Sequence, residues 1–134
     1  MIVQCHGCFD LLHYGHLRHL KFAKSLGDHL VVTITADRYI KKGPGRPVFN
    51  ESQRAEMLRE LRCVDDVQII HAPDAVTAIK AIKPDIYVKG REYEGRLPEL
   101  DFCKTLGIRV IFSDQVVYSS TKLVSEIKCE TMGI

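Results

Sequence analysis

Residues 7–16 read Gly7-Cys8-Phe9-Asp10-Leu11-Leu12-His13-Tyr14-Gly15-His16, and this stretch decides the reading of the whole chain. The apolar run Met1-Ile2-Val3 before it reads as a first strand. After it, Leu17, Leu20, Phe22/Ala23 and Leu26 recur at helical spacing. The stretch is therefore a strand-to-helix turn carrying two glycines and two histidines. Such a turn is an anion seat. Glycine lets the backbone approach a phosphate, and a helix N-terminus offers unpaired N–H groups and the positive end of its dipole. With the helix starting at Gly15, His13 and His16 are expected to face one ligand above the strand's carboxyl end, where open parallel sheets bind ligands.

Outward from this turn, short Val- and Ile-rich runs alternate with helical patterns. Strands are expected over 2–5, 30–35, 66–70, 86–89 and 109–112, and helices over 15–26, 51–61, 75–82, 98–106 and 119–128. The runs lack polar alternation, as in strands buried on both faces of a parallel sheet. Strict β–α alternation predicts an α/β fold: a Rossmann-like, doubly wound sheet of about five parallel strands between two helical layers. Gly27-Asp28, Lys83-Pro84-Asp85 and Gly107 punctuate the pattern, and Asn50 or Ser52 is placed to cap the helix from Glu51. No repeat or linker divides the chain, so 1–134 is expected to form one domain.

With 46% hydrophobic and 27% charged residues, the composition is that of a globular protein. A formal charge of +2 gives no bulk electrostatic reason to bind nucleic acid. No run reaches the length of a membrane span, and the N-terminus lacks a basic-then-apolar signal, so a cytoplasmic location is expected. Five cysteines (Cys5, Cys8, Cys63, Cys103 and Cys129) form no disulfide framework. Cys5-His6-Gly7-Cys8 is nevertheless a C-x-x-C between strand and helix, which keeps a thiol redox reading open. Joined to His13 and His16 it mimics a zinc pattern, but its inner gap is too short for a finger.

Three further segments fall at the same sheet edge. Residues 37–50 hold two glycines, two prolines and several cations, and are expected to form a mobile cationic flap. Lys41, Lys42 and Arg46 are its phosphate-binding candidates. Lys89 ends the fourth strand, where its ammonium would emerge beside the close-approach glycine Gly90. Ser119, Ser120 and Thr121 open the last expected helix, a second phosphate seat. Together these groups suit a polyphosphate. Asp37 and Arg38, after the second strand, and Arg54 are candidates for contact with a second substrate.

The pattern G-x-F-D-x-x-H-x-G-H resembles the signature of the nucleotidylyltransferase superfamily of cytidylyltransferase-like fold. Lys83-Pro84-Asp85-Ile86-Tyr87-Val88-Lys89-Gly90 and Tyr118-Ser119-Ser120-Thr121-Lys122 are similar to its later motifs. Within it, Lys42-Gly43-Pro44-Gly45-Arg46-Pro47 and Val88-Lys89-Gly90 look most like the adenylyltransferase domain of the bifunctional heptose-phosphate enzymes. The chain is also similar to glycerol-3-phosphate cytidylyltransferase, but Asp114 stands where that enzyme has Arg, and Gly90-Arg91-Glu92-Tyr93 replaces its G-D-D-W.

The resemblance implies transfer of NMP from an NTP, ATP favoured, to a sugar or polyol phosphate, with a heptose 1-phosphate-like acceptor favoured. CTP-dependent transfer of the glycerol-3-phosphate type is the alternative. It assigns catalysis to His13, His16 and Lys42, and nucleotide binding to Gly7, Cys8, Phe9, Asp10, Gly15, Lys41, Arg46, Lys89, Gly90, Ser119, Ser120 and Thr121. Mg²⁺ is the expected cofactor, held mainly by phosphates, and a homodimer the expected assembly. A thiol redox protein and a non-catalytic nucleotide-binding protein remain the readings from other classes.

Overall fold

The structure, a computed structural model, describes residues 1–114. The expected helix over 119–128, with Ser119, Ser120 and Thr121, lies outside the described residues. Strands β1 (Ile2–Gly7), β2 (His29–Thr35), β3 (Asp66–Ile70), β4 (Ile86–Gly90) and β5 (Arg109–Ser113) alternate with helices α1 (Tyr14–Ser25), α2 (Glu51–Arg59), α3 (Ala75–Ile82) and α4 (Leu100–Thr105). Single 3₁₀ turns follow β2 at Asp37–Tyr39 and β4 at Arg91–Tyr93. The strands form one sheet in the order β3-β2-β1-β4-β5, with every pairing parallel. This is the expected Rossmann-like α/β fold.

Period-2 alternation separates the two layers. Val3, Cys5, Ile86 and Val88 join Leu20, Ala23, Ala55 and Leu58 in one core, under α1 and α2. Between them Tyr87 points the other way, packing with Ile79, Cys103 and Ile108. Gln4 also faces that layer, and its Nε2 donates to Thr33 Oγ1 and to the Ala78 carbonyl at 3.0 and 3.2 Å. Only the central strands match the expectation of burial on both faces. β2 is buried from Leu30 to Ile34, whereas the edge strands β3 and β5 carry half-exposed and exposed positions, because each has a neighbour on one side alone.

Strand β1 runs two residues past its expected end, because His6 and Gly7 continue the ladder opposite Thr33 and Ile34. Asn50 caps α2: its side chain accepts from the Gln53 amide at 2.8 Å, and the Gln53 side chain accepts from the Asn50 amide at 3.0 Å. Gly27 cannot be replaced cheaply, since an added Cβ would lie 2.7 Å from Val3 Cγ2 and 2.8 Å from the Met1 carbonyl oxygen.

The strand order reverses direction at β1. The chain winds outward through β2 and β3, then crosses back to place β4 on the other side of β1. Connections from β1 and β4 therefore diverge, and a crevice opens between their carboxyl ends.

Candidate active site

A cleft of about 230 Å³ occupies that crevice. Gly7, Cys8, Phe9 and Asp10 form one wall, with His16 and His19 of α1, Lys42 and Arg46 of the loop, and Lys89, Gly90, Glu92 and Tyr93 after β4. Three of the βα connections singled out in the sequence thus meet at one edge.

The turn is built around Phe9, which adopts φ +51°, a left-handed conformation uncommon for a bulky side chain. Its ring lies edge-on to His16, 5.4 Å between centroids. The same ring sits 3.0 Å from where a Cβ on Gly7 would be, so Gly7 makes room for it.

His13 is the N-cap of α1, not a residue outside it, and the helix starts at Tyr14. The Gly15 amide donates to His13 Nδ1 at 3.0 Å, and the His13 amide donates to His16 Nδ1 at 3.4 Å. Two imidazoles thus form a reciprocal capping box, a role usually filled by hydroxyl, carboxylate or amide side chains. Both Nδ1 atoms thus sit at the helix mouth, and the Leu11 backbone also hydrogen-bonds the His16 ring and favours its protonated form. The rings stack 3.9 Å apart.

Burial, then the neighbouring His13, His19 and Lys42, pushes His16 down to about 4. Burial also lowers His13. Both are neutral near pH 7. Only His16 lines the cleft. His13 lies behind it, its Nε2 buried without a partner, so the two rings do not reach the cleft side by side as the spacing suggested.

The loop over 37–50, expected as a flap, is tied down at its C-terminal end, while 41–45 are exposed. Asp10, its side chain wholly buried, accepts from Arg46 Nε at 2.6 Å and from the amides of Val48 and Phe49 at 2.8 and 3.0 Å. Burial alone would raise the Asp10 pKa, but these donors outweigh it and hold the carboxyl below its ordinary value. Although Asp10 borders the cleft, its two oxygens are engaged in holding the loop. Lys42 and Arg46 reach the cleft, while Lys41 is exposed and does not line it.

Asp37, Arg38 and Arg54 do not line the cleft either. Arg54 is 1% exposed, with its guanidinium bonded to Asp37 Oδ1 (2.6 Å), the Cys8 carbonyl (2.9 Å) and the Phe49 carbonyl (3.1 Å). It ties the His-containing turn to the loop. Arg38 lies over the Tyr39 ring at 5.3 Å. Asp37 and Arg54 satisfy each other.

Lys89 is half-buried at the end of β4 and lines the cleft, the edge at which its ammonium was expected. Its Nζ donates to the His6 carbonyl at 2.9 Å and lies 4.7 Å from the Tyr93 ring centroid. Burial lowers its pKa, and Glu99, Cys5 and Glu92 act against that. An alanine at Gly90 would meet the Glu92 carboxylate at 2.4 Å.

A second cavity of about 340 Å³ shares His6, Lys89 and Tyr93 with the first and lies between Pro73–Val76 at the start of α3 and Leu97–Glu99 before α4. Sequence reasoning missed His6, His19, Glu92 and Tyr93 as cleft residues. For His19 a signal existed, since it follows His16 by one helical turn.

Cys5 is 1% exposed, and burial pushes its thiol up to about 12. Reactive C-x-x-C thiols are shifted the opposite way. Among the described residues no group of three or more His, Cys, Asp or Glu is placed to hold a metal ion. None of the described helices is long and apolar enough to cross a membrane.

Imidazoles at a helix mouth, loop cations and a sheet switch point together form a site suited to phosphates. The chain belongs to the cytidylyltransferase-like family, whose model matches residues 4–126. It is 39% identical to the Bifunctional protein HldE of Campylobacter fetus across 95% of this chain, and 49% identical to that of Helicobacter pylori (strain HPAG1) across 69%. These alignments take in 28% and 20% of those proteins, so the chain spans about a quarter of the length of the curated relatives it matches. The lipopolysaccharide core biosynthesis protein of Thermoplasma volcanium superposes with a TM-score of 0.73 at 29% identity, covering 89% of this chain and 98% of that one.

Proposed function

We propose that this chain transfers NMP from an NTP, with ATP favoured, to the phosphate of a sugar phosphate of the heptose 1-phosphate type, releasing pyrophosphate. The observation that carries this reading is the meeting of His16, Lys42 and Arg46 at one cleft beside the glycine-containing turn. The resemblance to the heptose-phosphate enzymes and a structural relative named for lipopolysaccharide core biosynthesis support a sugar phosphate as acceptor.

An oxygen of the acceptor phosphate attacks the α-phosphorus in line. A new P–O bond forms, the bond from the α-phosphorus to the bridging oxygen breaks, and pyrophosphate leaves with that electron pair. The attacking oxygen is already anionic near neutral pH, so no general base is required. Catalysis is positioning together with neutralisation of the charge that develops on the phosphates. His16 donates to the α/β phosphates without carrying charge of its own. Lys42 and Arg46 meet the leaving group, on a loop that Asp10 holds in place. His13 sets the helix mouth and stacks behind His16.

Against the two cleft carboxylates, Asp10 and Glu92, stand Lys42, Arg46 and Lys89, and the lining fits phosphates better than a free metal ion. Mg²⁺ would arrive on the NTP phosphates and contribute charge neutralisation there. The acceptor belongs in the second cavity, between Pro73–Val76 and Leu97–Glu99.

The test is pyrophosphate release with Mg²⁺, scanning ATP, CTP, GTP and UTP against heptose 1-phosphates, other sugar 1-phosphates and glycerol 3-phosphate. Release with ATP and a heptose 1-phosphate supports the reading. Release with CTP and glycerol 3-phosphate alone would replace its substrates, and silence with every pair would overturn it.

A further inference from the structure

Helix α1 carries imidazoles at three successive turns: His13, His16 and His19. The first two are accounted for by the capping box and the phosphate site. His19 is not. It is 5% exposed, and its Nδ1 is buried without a hydrogen-bond partner. A polar atom left in that state costs folding free energy, and an aliphatic residue would fill the same position without the cost. Yet His19 lines the cleft beside Lys89.

The cleft has two chemically different ends. Lys42 bears on His16, whereas Lys89 bears on His19. The Lys42 and Arg46 end suits phosphates. At the other end stand Lys89, Gly90 and Tyr93. Lys89 there is already engaged with the His6 carbonyl and the Tyr93 ring. Burial and then Lys89 keep the His19 ring neutral. A neutral imidazole offers one N–H and one lone pair, which suits an uncharged polar partner better than a phosphate.

We infer that His19 is a nucleoside-contacting specificity residue, whose unpaired ring nitrogen is satisfied when the NTP places a ribose hydroxyl or a polar base edge at the Lys89 end of the cleft. This rests on the nucleotidyl-transfer reading above. A site built to hydrogen-bond its ligand discriminates strongly against ligands lacking that group, because its own buried atom is then left unpaired.

The experiment compares wild type, His19→Leu and His19→Gln in three readouts: calorimetric binding of ATP, CTP, GTP, UTP and the 2′- and 3′-deoxy forms of ATP; steady-state pyrophosphate release; and thermal melting. His19→Leu is expected to melt at or above the wild-type temperature. Its Kd and KM for the favoured NTP should rise by about tenfold or more, with kcat and acceptor KM changed by less than about twofold. His19→Gln should recover part of the loss. Lost discrimination against a deoxy form assigns the contact to ribose, and a changed base ranking assigns it to the base. His19→Leu binding every nucleotide as wild type does would overturn the inference while leaving nucleotidyl transfer intact. A fall in melting temperature without a change in KM would make His19 structural. Wild type that binds no NTP would overturn both readings.

Discussion

Asp10 and Arg46 lie thirty-six residues apart in sequence and 2.6 Å apart in space. That contact makes the strand-to-helix turn and the cationic loop a single unit. It holds Arg46 at the cleft while the two amides beyond it close on the same carboxylate.

Replacing Asp10 with Asn keeps the shape and removes the charge. The substitution should destabilise the fold by about 1–3 kcal/mol, the cost of weakening a buried charged hydrogen-bond acceptor. KM for the NTP should rise with it. Thermal melting and steady-state kinetics check both, and an unchanged melting temperature would show that the loop does not depend on Asp10.

Arg54 has no cleft-facing role and should act through stability. Arg54→Ala leaves the Cys8 and Phe49 carbonyls and Asp37 without their partner, an expected loss of about 3–5 kcal/mol. Denaturant unfolding measures it. A stable variant with a selectively raised acceptor KM would return Arg54 to the substrate site.

His16→Ala should lower kcat by about 10²–10³-fold, as for loss of one transition-state donor. Because Nε2 is the working atom, His16→Gln should retain more activity than His16→Asn, whose amide reaches only the Nδ1 position. The opposite ranking would place the chemistry on Nδ1 and contradict the capping geometry.

Lys42 is exposed on its loop and lines the cleft. Lys42→Ala should raise KM for the NTP or slow kcat, with melting unchanged within the roughly 0.5 kcal/mol typical of surface sites. A large drop in melting temperature would give Lys42 a structural role.

Burial, aided by neighbouring cations, pushes His6, His16 and His19 down to about 4 from an ordinary 6.5. Between these values the unfolded chain takes up protons that the folded chain does not. The stability they contribute is therefore whole above pH 6.5 and is lost as pH falls toward 4. Melting temperature should decline progressively from about pH 6.5 downward. Over about pH 6–8 the rate should show no step from His16, which is neutral throughout. A flat melting temperature down to about pH 4.5 would contradict the burial of these rings.

Periodicity made the layer order and nearly every element visible in the sequence, because β2 and β4 are largely apolar runs and Asn50 announces its helix. Strand order is not written in such patterns. The crossover that brings β4 beside β1 is a tertiary choice, and with it came the meeting of His16 and Lys89. The sequence also showed Lys42, Arg46 and Gly90 as cleft residues. The pairing of Asp37 with Arg54 was not legible, because nothing in the spacing of two charged residues says that they meet. It passed over His19 because a histidine on the inner face of a helix resembles any core position.

The most direct test of nucleotidyl transfer follows the two ends of the nucleotide. With ATP labelled at the α- or the γ-phosphate and a heptose 1-phosphate acceptor, the account predicts α label in the sugar product and γ label in pyrophosphate. The γ label appearing in the sugar product would mean phosphoryl rather than nucleotidyl transfer, and would contradict the account.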